Sequence, residues 1–327
     1  MINIAFIGSG GIAGTHAGAI DASKMALVAA VDLNKDAAVK LAEPHGAKAF
    51  SSTDELFAAI DEGLKVDAVI LATPPSARLN VLERTAERGL HALVEKPLAT
   101  TVEEAEKIDD LAASHADLVF AVGFCHRFTP AVQQMRDLAA GGKIGHVIRL
   151  ENTFAFHHPP MAEKWFSDPA ISGGGALLDA GCHSVDLFHF VVGPAEPVGA
   201  VFDSPWSGRG ETGATALLRC TSGAHAGAAG VIVSGWMEGE RFDVRLVGDA
   251  GTLAYDYMKP EELVFQPVSG DTEIIAVEPH DLRFARQLAH FAGCCENPGA
   301  DRAPMAGTTE GVAAARTIAG AMGTVGV

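Results

Sequence analysis

The stretch "FIGSGGIAGTHA", residues 6–17, decides how the first half of the chain is read. An apolar run, "INIAFIG", enters it, and a segment of helical character leaves it. Gly8, Gly10 and Ala13 occupy the three small-residue positions of the G-x-G-x-x-G/A fingerprint, which serve a tight turn, close approach to a pyrophosphate and helix-to-strand packing. The start of the following helix offers unpaired N–H groups to an anion. Gly8, Ser9, Gly10, Gly11 and Ile12 are therefore the expected cofactor loop. In a chain with 36 glycines the motif alone is weak, and its context must carry it.

The next apolar run, "LVAAVD", ends in Asp32, roughly 20 residues beyond the loop, where a carboxylate would hold the adenosine ribose hydroxyls. A carboxylate there also repels a 2′-phosphate. NAD is thus favoured, with NADP left open because Asn34 and Lys35 could accommodate the extra phosphate.

Further runs of strand length, "DAVILAT", "HALVEK" and "LVFAVG", are nearly continuous in hydrophobicity, as strands covered on both faces must be. Helix starts lie between them. Ser52 or Thr53 precedes acidic residues, and Thr101 with Glu104 forms a capping box. Residues 1–122 are read as an α/β dinucleotide-binding (Rossmann) domain with a parallel sheet. After Gly123 short strand-like runs alternate with Gly, Ser and Asp turns, flanked by helical stretches. Residues 123–327 are read as an α+β substrate-binding and oligomerisation domain built on a large, mainly antiparallel open sheet.

Bulk properties narrow the partners. The 24 basic and 41 acidic residues give a net charge of -17, which disfavours nucleic acid and anionic membrane. No apolar run approaches the roughly 18 residues of a membrane span. The N-terminal stretch lacks a basic region and a cleavage site, so no signal peptide is read. Five cysteines without CxxC spacing fit reduced thiols in a cytoplasmic protein.

With "LVEKPLATT" at residues 93–101 set against this frame, the chain resembles the glucose-fructose oxidoreductase, inositol dehydrogenase and rhizopine-catabolism (Gfo/Idh/MocA) family. "VDAVILATPPSARLNV", "VGFCHRFTPAV", "GGGALLDAGCHSVDLFHFVVG" and "LVGDAGTL" carry the resemblance with the glycine loop, over nearly the whole chain. It implies Lys96 as the lysine contacting nicotinamide ribose and the reacting oxygen, and Asp179 with His183 as the substrate-domain D-x-x-x-H pair, His183 the acid/base. It implies Thr73, Pro74 and Pro75 as a loop packing on the cofactor, Glu95 beside the nicotinamide, and Arg127 and Trp165 as active-site lining. Departures are Arg78, where many members carry histidine, and Cys125-His126 before Arg127. The family also implies a sugar, inositol or related polyol as substrate and a homodimer or homotetramer as assembly. Its range includes NAD-dependent redox-cycling glycosidases and a few non-catalytic cofactor-binding regulators.

The chemistry is consistent with those residues. Oxidising a secondary alcohol needs a base for the O–H proton and a positive charge where the alkoxide develops, roles suited to histidine and lysine. The spacing of Asp179 and His183 predicts one helical face, and Gly173, Gly174 and Gly175 before them permit close approach to a ligand. Lys96 follows the carboxyl end of a strand, where open α/β sheets bind ligands. His183, Asp186 and His189 spread around a helix, so no metal site is expected. Gly248–Gly251 reads as a hairpin turn.

Overall fold

A computed structural model describes residues 1–323. The first half alternates strands β1 (Ile2–Ile7), β2 (Met25–Val31), β3 (Lys48–Phe50), β4 (Ala68–Leu71), β5 (His91–Val94) and β6 (Phe120–Val122) with helices α1 (Gly11–Gly18), α2 (Lys35–Ala42), α3 (Thr53–Asp61), α4 (Leu79–Ala86) and α5 (Val102–Ser114). All six strands are parallel, and every residue of β4 is fully buried, as its unbroken apolar run requires. The expected caps form: the Ser52 hydroxyl accepts from the Glu55 N–H, and that of Thr101 accepts from the Glu104 N–H.

The second half runs α6 (Pro130–Ala140), β7 (Val147–His157), α7 (Pro169–Ser172), α8 (Ala176–Asp179), α9 (Gly181–Val191), β8 (Ala195–Asp203), β9 (Gly213–Cys220), β10 (Ala229–Gly235), β11 (Met237–Gly248), β12 (Gly251–Asp256), β13 (Glu262–Pro267), β14 (Glu273–Ala276), α10 (Arg283–Glu296), β15 (Ala306–Gly307) and α11 (Thr308–Gly323). Eight strands form one sheet in the order β14-β13-β12-β11-β7-β10-β9-β8. Only β7 and β10 are parallel neighbours in it, and Asp249-Ala250 closes the β11–β12 hairpin as expected. Helix α9 packs on β7 and β10, while the opposite face of the sheet is left open, with Val201 and Leu217 exposed.

A division of the chain at residue 122 assigns to the second half a segment that returns to the first sheet. Strand β15 pairs antiparallel with β6, giving the order β15-β6-β5-β4-β1-β2-β3. Helix α10 packs on α1 and β1, burying Leu288 and Phe291 among the residues of the first sheet, and α11 lies against α5. The segment carries no strand-length apolar run to announce this, since β15 is two residues long.

Candidate functional site

Strands β1, β4 and β5 of the first sheet end side by side, and the loops that follow them carry the cofactor-facing residues. Gly8 turns the chain with φ of 93°, and a Cβ there would lie 2.6 Å from the Ala72 carbonyl oxygen, so only glycine closes this corner. Gly10 caps α1 without a side chain, and Gly10 and Gly11 are exposed, leaving the first N–H groups of the helix open to a phosphate. Asp32 accepts from the Ser9 N–H and the Asn34 N–H, both at 2.8 Å, one on each carboxylate oxygen. A carboxylate has about four acceptor positions, so two remain for ribose hydroxyls. The loop therefore fits a dinucleotide by its open donors and its acceptor at the strand end.

Lys96 leaves β5 through a cis Lys96–Pro97 peptide, and its Nζ donates to Asp179 Oδ1 at 2.9 Å and to the Asp179 carbonyl at 3.0 Å. Burial opposes its charge, but the Asp179 carboxylate, with Cys182 and Glu95 adding, holds the ammonium above the ordinary lysine range. The other Asp179 oxygen accepts from Trp236 Nε1 at 3.1 Å, and Trp236 is fully buried. Asp179 and His183 do not lie on one unbroken helix. Asp179 ends α8 and His183 lies in the first turn of α9, and the His183 N–H bonds the Ala180 carbonyl instead of that of Asp179. This break frees the Asp179 carbonyl for the lysine. The preceding glycines serve packing: a Cβ on Gly175 would collide with the Glu211 carbonyl, so the close approach is to main chain rather than to a ligand.

Lys96, Asp179 and His183 border one cavity of about 650 Å³. His183 is kept neutral, since burial first, then electrostatic coupling to His126 and to the cations Lys96 and Arg283, pushes its pKa well below the usual histidine value. Its ring meets that of His126 edge-on, with centroids 4.6 Å apart, and His126 is hydrogen-bonded through Nδ1 to the Tyr257 hydroxyl at 2.8 Å.

Glu95 turns away from Lys96. Its carboxylate accepts from the buried His16 Nε2 at 2.7 Å and from the Lys96 N–H at 3.1 Å. Burial raises its pKa, but the His16 hydrogen bond and the charges of His16, Lys96 and Arg78 outweigh it, so the group stays ionised. Arg78 is itself buried, and burial lowers its pKa to about 10. Its guanidinium donates to the Thr73 carbonyl at 2.7 Å and to the carbonyls of Glu95 and Pro97. The loop bearing Thr73, Pro74 and Pro75 and the loop bearing Lys96 are thus tied by one side chain.

These two halves match known sequences. Residues 2–124 match the oxidoreductase family model with an NAD-binding Rossmann fold, and residues 132–254 match the GFO/IDH/MocA C-terminal domain. The chain belongs to the GFO/IDH/MocA oxidoreductase family. Similar curated proteins include the rhizopine catabolism protein MocA of Rhizobium meliloti, 30% identical over 191 residues, covering 58% of this chain and 57% of that protein. The levoglucosan dehydrogenase of Pseudarthrobacter phenanthrenivorans is 30% identical over 217 residues, covering 63% of this chain and 54% of that protein. The matched region thus spans little more than half the length of these relatives. The crystal structure of an inositol dehydrogenase homologue from Azotobacter vinelandii with NAD+ shares the fold, with a TM-score of 0.87 at 21% identity over 99% of this chain and 95% of that one.

Of the two residues that the GFO/IDH/MocA resemblance placed along the active site, Arg127 lines a different cavity and Trp165 stands at the edge of the site. Arg127 grips Asp186 through Nε and Nη2 at 2.7 to 3.0 Å and faces a separate cavity of about 570 Å³ beside His189, Phe190 and Glu310. Its partner lies 59 residues away in sequence, so the pair could not be read in advance. Trp165 stacks on Phe166 beside Pro97 and Asp179, at the edge of the site rather than in the main cavity. Conversely, Trp236, Tyr257, His280 and Arg283 reach the site or its immediate support without a sequence signal, and His126, noted only as a departure before Arg127, lines the main cavity.

His183, Asp186 and His189 gave no expectation of a metal site, and among the described residues it is Cys125, His126 and His183 whose ligand atoms lie within 4.8 Å of one another. Burial pushes the Cys125 thiol up to about 11, and Lys96 and Arg283 border the same cavity. A soft cation needs the thiolate and would meet two positive charges, so this set does not suit it. No helix among the described residues is long and apolar enough to cross a membrane.

Proposed function

We propose that the chain is an NAD(P)-dependent oxidoreductase acting between a secondary hydroxyl and the corresponding ketone of a sugar, inositol or related polyol. The observation that carries this is the Lys96 ammonium, held on Asp179 at 2.9 Å, bordering one cavity with a neutral His183 beyond the carboxyl end of β5. Gly8–Ile12 and Asp32 would hold the dinucleotide, with Thr73–Pro75 beside it and Glu95 anchoring the adjoining backbone. When bound, NAD(P) supplies the hydride acceptor in oxidation and the hydride donor in reduction. In oxidation the His183 imidazole takes the hydroxyl proton, and the Lys96 ammonium hydrogen-bonds the oxygen on which negative charge grows. Asp179 keeps the ammonium in place and charged, and Trp236 keeps Asp179 in place. In reduction the same protonated imidazole returns the proton.

The open face of the second sheet, with Val201 at 74% and Leu217 at 46% exposure, supports a homodimer or larger homo-oligomer. Five free, buried cysteines support a cytoplasmic setting.

The reading is tested by following nicotinamide absorbance with sugars, inositols and glycosides against NAD and NADP in turn. Turnover that falls by about 10²- to 10⁴-fold in His183→Ala supports it. Bound cofactor without turnover of any alcohol, or activity indifferent to Lys96 and His183, would sink it.

A further inference from the structure

The cavity that holds Lys96 and His183 contains a second cation, Arg283, at the first residue of α10. Arg283 donates from Nη1 to the His280 carbonyl at 3.0 Å, has the Cys125 sulfur as a neighbouring acceptor and rests over the Phe284 ring, while its buried Nε finds no partner. No carboxylate of the described residues lies within 4.0 Å of it. The acidic groups nearby are committed elsewhere or turned outward: Asp179 to Lys96 and Trp236, Glu95 to His16, Glu278 to Arg286, and Asp281 exposed to solvent. Two further buried nitrogens of the cavity wall, His183 Nδ1 and His280 Nδ1, also lack partners. Buried donors without acceptors are destabilising, and a guanidinium left in that state at the wall of a ligand cavity marks a place for an acceptor-rich group.

Among the described residues the only carboxylate lining this cavity is Asp179, against Lys96 and Arg283, so the lining is positive in a chain whose net charge is -17. Such a chain repels anions at a distance, and a local cation is needed if one is to be held. Much of the remaining lining is aromatic, formed by Phe154, Phe156, Phe242 and Tyr257, which suits the C–H face of a sugar ring rather than a second charge. The phosphates of a dinucleotide have their own donors at the start of α1, whereas Arg283 lies on the Lys96 and His183 side.

We propose that Arg283 forms an anion-binding subsite within the substrate cavity, so that the preferred sugar or polyol carries a carboxylate or phosphate group. The planar fork of the guanidinium matches either group in a bidentate contact. That the anion belongs to a substrate rests on the oxidoreductase reading; the subsite itself does not.

The test is titration calorimetry of the full chain, with NADH bound, using D-glucuronate, D-glucose 6-phosphate and D-glucose, repeated with D-galacturonate and D-galactose, alongside the corresponding turnover assays. The expected result is tighter binding of the anionic member by about tenfold or more, lost in Arg283→Met and partly kept in Arg283→Lys, with NADH affinity unmoved in both. Preference for the uronates identifies a carboxylate, and preference for the sugar phosphate identifies a phosphate. Equal binding of anionic and neutral members overturns the proposal, as does an Arg283→Met variant that loses NADH affinity while keeping the anion preference. Arg283-dependent anion binding with no nicotinamide reduction would leave the subsite standing and sink the oxidoreductase reading. Reduction with neutral sugars that ignores Arg283 would do the reverse.

Discussion

At the scale of single residues, the protonation states of Lys96 and His183 divide the work. Lys96 is held above the ordinary lysine range and His183 below the ordinary histidine range, so near neutrality one is a cation and the other a free base. The acid limb of kcat/KM for alcohol oxidation is therefore expected below the usual histidine value, and no alkaline limb from Lys96 below the usual lysine value; a pH–rate profile checks both. Stability follows the same group. Because the folded pKa of His183 is lowered, the unfolded chain binds its proton first, so the fold weakens as pH falls through about 6.5 and below. His126 is lowered in the same direction, chiefly by burial, and adds to the effect. A thermal midpoint that stays constant from neutrality to mildly acidic pH would contradict this. Lys96→Met removes the charge at the developing alkoxide, and a fall in kcat/KM of about 10²-fold or more is expected in steady-state assays. Lys96, Asp179 and His183 stand out in the sequence through local patterns, a strand end, a glycine run and a four-residue spacing, and they border one cavity although the helix expected over the last two is broken and the glycines serve packing. Tyr257 could not be read that way, since its partner His126 lies far along the chain, and Arg283 could not, since the cavity it borders is built from distant segments.

Between elements, the decisive contacts are backbone carbonyls claimed by side chains. The break between α8 and α9 gives the Asp179 carbonyl to Lys96, and Arg78 gathers the carbonyls of Thr73, Glu95 and Pro97. An arginine that opens a helix reads as a surface residue, and nothing local marks Arg78 as buried. Its loss leaves several buried acceptors unpaired. Arg78→Met is expected to lower unfolding free energy by about 2–4 kcal/mol in denaturant titrations and to weaken NADH binding by loosening both loops. Gly175→Ala drives a Cβ into the Glu211 carbonyl, and the backbone must shift at a cost of about 1–3 kcal/mol, read by the same titration. The parallel strands were legible for the opposite reason: β4 and β5 are buried on both faces, so their apolar runs are continuous and short.

For the whole molecule, the second sheet is covered by α9 on one side and open on the other. Val201, Leu217 and Val231 lie on that open face, near the Arg149 and Glu151 pair on β7. Leu217→Glu with Val201→Glu is expected to abolish the self-association proposed for this face, read by sedimentation velocity, while the thermal midpoint of the monomer changes little. Burial alternates along β9, one face in and one face out, but no single strand shows what covers the outer face.

The pairing of β15 with β6 bears on how the chain is made. During synthesis the first six strands leave the ribosome with the outer edge of β6 unoccupied, and its partner at Ala306–Gly307 follows only after the whole second sheet. A nascent chain halted before that point carries an unguarded sheet edge, open to pairing with other chains. The last helices therefore act as a seal, and a stalled or prematurely terminated product is the form most prone to aggregate.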